Sequence, residues 1–221
     1  CSLFFHPHRT GHQLTFFFLS ISICFCFCFS ILTASLALFF ASISFNFSFF
    51  NSIETPVPAS VLILLFPKDN DIHFFLTKRT DAVEHHKGQI SLPGGAREDG
   101  EQLQETAIRE TEEEIGVDKN IIQLVGGLTP FYIPVTGFMV HPFIGWCNKE
   151  PSTNIQIEEV NKLFTVSLST LLDDQIFQSE NWEIRGQEAI VPFYNFEGRK
   201  VWGVTASILS EFKLILKDMK L

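Results

Sequence analysis

The sequence predicts an α/β/α sandwich built on a mixed β-sheet. Short apolar, strand-like runs are interspersed with two substantial helical patterns, and each of those helices carries one apolar stripe. Charge is almost confined to residues 54–221, so a charged domain follows a nearly uncharged leader at residues 1–53.

Glu54–Ser60, with Pro56 and Pro58, reads as a stiff connector. Ala59–Phe66 is a continuous apolar run closed by Pro67, the pattern of a buried central strand. Lys68–Asp71 has turn chemistry and Ile72–Lys78 returns as a second strand, so the two form a hairpin. Thr80–Leu92 shows no clean period and runs into Pro93-Gly94-Gly95, a loop whose backbone can approach a ligand closely. Gln102–Ile115 is a helix: Ala107, Ile108, Thr111 and Ile115 share one side, and Gly116 stops it.

Ile121–Leu128, Phe138–Cys147 and Val160–Val166 read as strands, and Ser167–Leu172 as a short helix. Gln187–Phe196 and Lys200–Val204 flank Glu197-Gly198-Arg199 as a hairpin. Thr205–Lys217 closes the chain as a helix with apolar Ile208, Leu209, Phe212 and Leu216. The chain has no internal repeat.

The leader carries one charged side chain, Arg9, and 14 of the 25 phenylalanines. Leu14–Phe50 is uncharged and longer than the ~20 residues a bilayer crossing needs, with its best window at Ile21–Ala41. It lacks a basic flank and is loaded with Ser, Phe, Cys and Ile, whose codons are T-rich. It therefore reads as upstream sequence translated in frame, with a membrane anchor or signal peptide as the alternative. The Arg-rich character of a transit peptide is missing. His6, His8 and His12 have no carboxylate or thiolate partners and make no metal tract. Cys1, Cys24, Cys26 and Cys28 lie in the leader, which leaves the domain only Cys147. One thiol closes no internal disulfide, so the domain reads as cytoplasmic, or membrane-anchored if residues 14–50 are retained.

Sixteen Lys and Arg against 25 Asp and Glu give a net charge of −9. That balance argues against a nucleic-acid partner, because neutralising phosphates needs clustered cations. It leaves open a small phosphorylated substrate whose charge is met by a bound divalent cation.

Glu110 and Glu114 stand four apart and share a helix face, with Glu113 alongside. Three neighbouring acids repel one another, and a hard cation with oxygen ligands relieves that cost. Arg109 can pair with one acid and orient it. The Gly94-Gly95 turn can offer a backbone carbonyl. Glu112-Glu113-Glu114 alone would be an ordinary solvated acidic face; its fixed surroundings argue otherwise. Gly95, Glu101, Arg109, Glu110, Thr111, Glu113, Glu114, Gly116 and Val117 stand at the spacing of the signature of the Nudix hydrolases, which this chain resembles. Thr111 occupies an aliphatic slot, where its methyl can pack inward.

The resemblance implies a Nudix-type α/β/α sandwich and hydrolysis of a diphosphate bond with magnesium, or manganese as the alternative. It implies Glu110 and Glu114 as principal metal ligands, Glu113 as a further or water-mediated one, and Glu101 as support for a second cation or for the loop. Arg109 would hold the glutamates. Glu110 and Glu113 with Arg109 form the implied catalytic set, in which a metal-bound or Glu-activated water attacks phosphorus.

Phe75-Leu76-Thr77-Lys78-Arg79-Thr80, Gly88 and Leu92-Pro93-Gly94-Gly95 further resemble the coenzyme A pyrophosphatases of that family. Phe75 and Leu92 are apolar replacements, while Glu84 reverses the charge expected at a basic slot. Pro142–Gly145, Glu159-Val160 and Trp202–Ala206 resemble later segments of the subgroup. The likeness covers Ala59–Leu216. It implies a small diphosphate substrate, coenzyme A or an acyl derivative, with Lys78, Arg79, Gly94 and Gly95 as substrate contacts. Other nucleoside diphosphate derivatives, or a catalytically silent nucleotide-binding domain, are the alternatives. His85-His86 reads as a polar loop pair, Glu159 as a surface acid, Trp146, Trp182 and Trp202 as packing, and Cys147 as buried.

Overall fold

The computed structural model describes residues 55–80, 89–184 and 186–219. The candidate membrane span, the histidine tract, Glu84, His85-His86 and Gly88 lie outside the described residues. Among the described residues, no helix is long and apolar enough to cross a membrane.

The apolar run becomes strand β1, Val57–Lys68, whose middle from Leu62 to Phe66 is fully buried. Each such side chain contributes roughly 1.5–3 kcal/mol by leaving water. It turns through Asp69 and Asn70 into β2, Asp71–Arg79, in the expected antiparallel hairpin. Ile90–Ser91 forms β3 against β2. The Pro-Gly-Gly loop is itself partly a strand, a departure from expectation: Gly94–Ala96 is β4, antiparallel to β1. Two glycines hide strand character in a sequence, yet they let this backbone lie directly on β1.

Helix α1, Leu103–Ile115, follows, with the Gln102 N–H donating 2.8 Å to the Glu105 carboxylate. Gly116, at φ 70°, ends it as expected. The run at Ile121–Leu128 divides into a 3₁₀ turn, Lys119–Ile121, and strand β5, Gln123–Gly127. Asp118 caps the turn by accepting from the Asn120 N–H, which the apolar pattern alone does not disclose. β6, Phe131–Ile133, is an unforeseen short strand beside β7, Phe138–Trp146.

β8, Val160–Ser167, pairs with β2, and α2, Leu168–Leu172, follows it. β9, Phe177–Ile184, was not legible because it is almost wholly exposed and lacks alternation. It pairs with β10, Gln187–Phe196, which pairs with β11, Arg199–Trp202. The last helix, α3, Gly203–Asp218, starts two residues earlier than its apolar pattern, at the end of β11.

Among the described residues, eight strands make one mixed sheet in which β1 and β7 are parallel and the other pairs antiparallel. β9, β10 and β11 make a second, antiparallel sheet. Side chains alternate across β1, so Leu62, Leu64 and Phe66 pack with Phe75, Ala107, Ile115 and Val117 beneath α1. The opposite face carries Ile63, Leu65, Phe74 and Leu76, all buried. There Leu76 lines one small cavity with Phe196 and Val201 of the second sheet. Thr129 donates its N–H and hydroxyl to Glu211, tying α3 to the segment after β5. Trp146 and Cys147 are core residues, and burial pushes the Cys147 thiol up to about 11, far from nucleophilic.

Candidate active site

The site is built by one helix lying across a glycine strand. α1 buries Ala107, Thr111 and Ile115 against β1, which turns Glu110 and Glu114 toward β4. Thr111 is fully buried and donates its hydroxyl to the Ala107 carbonyl at 2.7 Å, so the polar group in the aliphatic slot is satisfied within the helix.

Arg109 spends its five N–H groups on the cluster. Nε donates to Glu101 Oε1 at 2.8 Å; Nη1 to Glu110 Oε1 at 2.9 Å and Glu113 Oε2 at 2.8 Å. Nη2 donates to the Ala96 carbonyl at 3.1 Å and to Glu101 Oε2 at 3.2 Å. One guanidinium therefore fixes three carboxylates and the strand that faces them.

Glu101 also accepts the Thr106 hydroxyl at 2.7 Å and the Glu98 N–H at 3.2 Å. Its oxygens are engaged in holding the loop to the helix. The hydrogen bond from Arg109 holds its carboxyl down at about 2, against burial. A folded-state value below the ordinary 4.5 means the stabilisation is complete above that pH and fades as pH falls toward 2. Glu101→Gln should accordingly melt below wild type at neutral pH, and the gap should close on acidification below 4.5. A pH-independent gap in thermal melts would deny the ion pair that role.

Glu110 lies directly over Gly95: a β-carbon there would fall 2.4 Å from Oε1 and 2.5 Å from Oε2. Burial raises its carboxyl above the ordinary value, and Arg109 opposes the shift. Glu114 is only 4% exposed and, among the described residues, its carboxylate accepts one weak bond, from the Gly94 N–H at 3.3 Å. Burial pushes it up to about 8, opposed by the charge of Arg79 and by that bond. Glu113 is more than half exposed, and Glu112 turns away to pair with Lys119 at 3.1 Å.

Glu159 is exposed, as expected of a surface acid, and its charge also contributes to raising Glu110 and Glu114. The loop before it is stitched to the helix end by Asn154 N–H to the Ile115 carbonyl, 2.8 Å, and Gln156 N–H to the Glu114 carbonyl, 3.0 Å. An acid just ahead of a strand was the available signal, but only the loop path shows where it goes.

Lys78 and Arg79, paired in the sequence as substrate contacts, part company. Successive strand residues face opposite sides. Arg79 acts on Glu114, and its Nε is buried without a hydrogen-bond partner among the described residues. Lys78 lines a cavity beyond the other face of the sheet. Gly94 and Gly95 both lie at the carboxylates.

Among the described residues no three acidic, histidine or cysteine side chains form a ready-made metal cage. The donor set nonetheless fits magnesium, which takes one or two carboxylates and keeps several waters. Buried Glu114 and half-buried Glu110, both raised by burial and by neighbouring acids, sit in a cradle that only a glycine leaves open. Glu110 and Glu114 would hold the ion, with Glu113, fixed beside them by Arg109, as the water-mediated contact.

The fold and site define an α/β/α protein with an arginine-locked carboxylate helix over a glycine strand. The NUDIX domain model matches residues 56–184. The chain is 36% identical to Nudix hydrolase 15, mitochondrial, of Arabidopsis thaliana, over 70% of this chain and 56% of that relative. It is 35% identical to the peroxisomal coenzyme A diphosphatase ndx-8 of Caenorhabditis elegans, over 52% of this chain and 51% of the relative. It thus spans little more than half the length of these two relatives. The crystal structure of a MutT protein from Methanosarcina mazei Go1 shares the fold, with TM-score 0.51 and 18% identity over 77% of this chain and all of that one. The chain belongs to the Nudix hydrolase family.

Proposed function

We propose that the domain hydrolyses the diphosphate bond of a nucleoside diphosphate derivative with a divalent cation, and that its substrate is coenzyme A or an acyl-coenzyme A. The observation that carries the reaction is the pair of carboxylates, half-buried Glu110 and buried Glu114, at the Gly94-Gly95 backbone. A divalent cation bound there neutralises charge on the diphosphate oxygens and acidifies water. Arg109 holds Glu110 and Glu113 in register. We assign to Glu113 the proton of the attacking water, since it is exposed yet positioned by Arg109. The water oxygen bonds to one phosphorus as the bridging oxygen leaves with the other, giving two phosphomonoesters. Arg79, with its unpartnered buried Nε, suits a diphosphate oxygen.

Chelation should abolish turnover, and magnesium or manganese should restore it, as read by phosphomonoester release. Full activity in chelator would sink the cation reading. The coenzyme A assignment is supported by the Phe75–Thr80 and Leu92–Gly95 resemblance and by the name of the C. elegans relative. In a panel of coenzyme A, dephospho-coenzyme A, ADP-ribose, a nucleotide sugar and a dinucleoside polyphosphate, coenzyme A should show the highest kcat/KM. The products are adenosine 3′,5′-bisphosphate and phosphopantetheine. Preference for ADP-ribose or the sugar would overturn the substrate and spare the reaction; no turnover of any would favour a silent binding domain.

A further inference from the structure

Lys78 and Lys162 are direct partners across the β2–β8 ladder, so two like charges stand side by side on one face. Such a pairing is destabilising unless something anionic intervenes. Neither makes an ion pair among the described residues, in a chain where acids outnumber bases 25 to 16. Both line a cavity of about 590 Å³, within the range of small-molecule sites.

Arg199 and Lys200 of β11 complete its basic wall, and Phe164 and Trp202 are its aromatic lining. Among the described residues no carboxylate lines it. The Arg199 guanidinium stacks 4.5 Å from the Phe164 centroid, and Lys162 Nζ lies 5.5 Å from the same ring. Arg199 and Lys200 do have acid partners, Glu197 and Glu180, but these stand outside the cavity lining. β8 carries an irregularity opposite the Lys78/Arg79 step, where Asn161 has no partner in the ladder and lines the cavity. A bulge beside a concave basic surface re-aims side chains there.

We infer that this cavity binds a phosphomonoester group carried on a nucleotide, at a site separate from the carboxylate cluster. Four cations, of which Lys78 and Lys162 have no acid partner among the described residues, converge on one concave space and concentrate positive field there. Trp202, the second aromatic side chain of the lining, offers a nucleobase an apolar surface beside them. The alternation of β2 separates the two sites: Arg79 turns to Glu114 and Lys78 to the cavity. Binding here needs no divalent cation and does not depend on the reaction proposed at Glu110 and Glu114.

The test titrates the full chain, in chelator, with adenosine 3′,5′-bisphosphate by calorimetry, with adenosine as the phosphate-free control. The bisphosphate should saturate one site and adenosine should not bind. Lys78→Gln with Lys162→Gln should weaken binding tenfold or more, the scale of a lost charge-assisted contact. Lys78→Arg with Lys162→Arg should retain it, and Glu110→Gln should leave it unchanged. A double glutamine variant that fails to fold is replaced by Lys162→Gln alone, an exposed position, still expected to weaken binding. No saturable binding in chelator, equal binding by the glutamine variants, or loss with Glu110→Gln would each overturn the site. Failure of the hydrolase reading would appear separately, as absent turnover with cation present.

Discussion

Glu110→Gln should lower kcat/KM by roughly 10²- to 10³-fold, the scale for losing one preorganised electrostatic group at a reacting centre. The substitution keeps shape and removes charge. Burial already disfavours the Glu110 anion, so the folded protein loses little by becoming neutral there. The thermal midpoint should therefore stay near wild type. Glu112→Gln is the internal control, two residues along the same helix. Glu112 meets Lys119 at 3.1 Å on the solvent side, and exposed pairs contribute about 0–1 kcal/mol. Its kcat/KM should change by less than about twofold, since the residue touches nothing at the cluster. Steady-state kinetics of the two variants, beside their melts, make the comparison. Equal losses at both positions would show that the wrong helix face has been set over the substrate.

The carboxylate helix was the most legible part of the molecule, because helix, face and cap are all local properties. Periodicity placed Ala107, Thr111 and Ile115 inside, and a fixed spacing placed Glu110 and Glu114 together. What sequence could not show was the partner surface. β4 consists of Gly94, Gly95 and Ala96, residues with little strand preference, held extended by hydrogen bonds to β1. The charge of Glu159 is felt at the site because the loop ahead of it is bonded to Ile115 and Glu114 through backbone groups, invisible in side-chain pattern. Lys78 and Arg79 are adjacent letters, yet strand alternation sends them to different faces. The exposed strand β9 was missed for a related reason: with nearly every residue in solvent, no apolar period records it. Local chemistry is written in the chain, whereas convergence depends on strand register.

Gly94→Ala and Gly95→Ala should fail in opposite ways, which makes the pair a sharp test of this geometry. A β-carbon at Gly94 would fall 2.2 Å from the Ser60 carbonyl oxygen and 2.6 Å from Val61 Cα. Those atoms are backbone of β1, which is fixed by its parallel ladder with β7. The strand has nowhere to move, so the cost is about 3 kcal/mol or more, a fall of roughly 10 °C in Tm. At Gly95 the β-carbon meets the Glu110 carboxyl at 2.4 Å, the free end of a flexible side chain. That carboxyl can swing aside, so stability should fall by only about 1 kcal/mol. The swing removes Glu110 from Arg109 and from the cradle, and activity should drop nearly as far as in Glu110→Gln. Melting curves and kcat/KM for both variants decide it. A Gly95→Ala enzyme of wild-type activity would mean that Glu110 does its work from somewhere other than the Gly95 backbone.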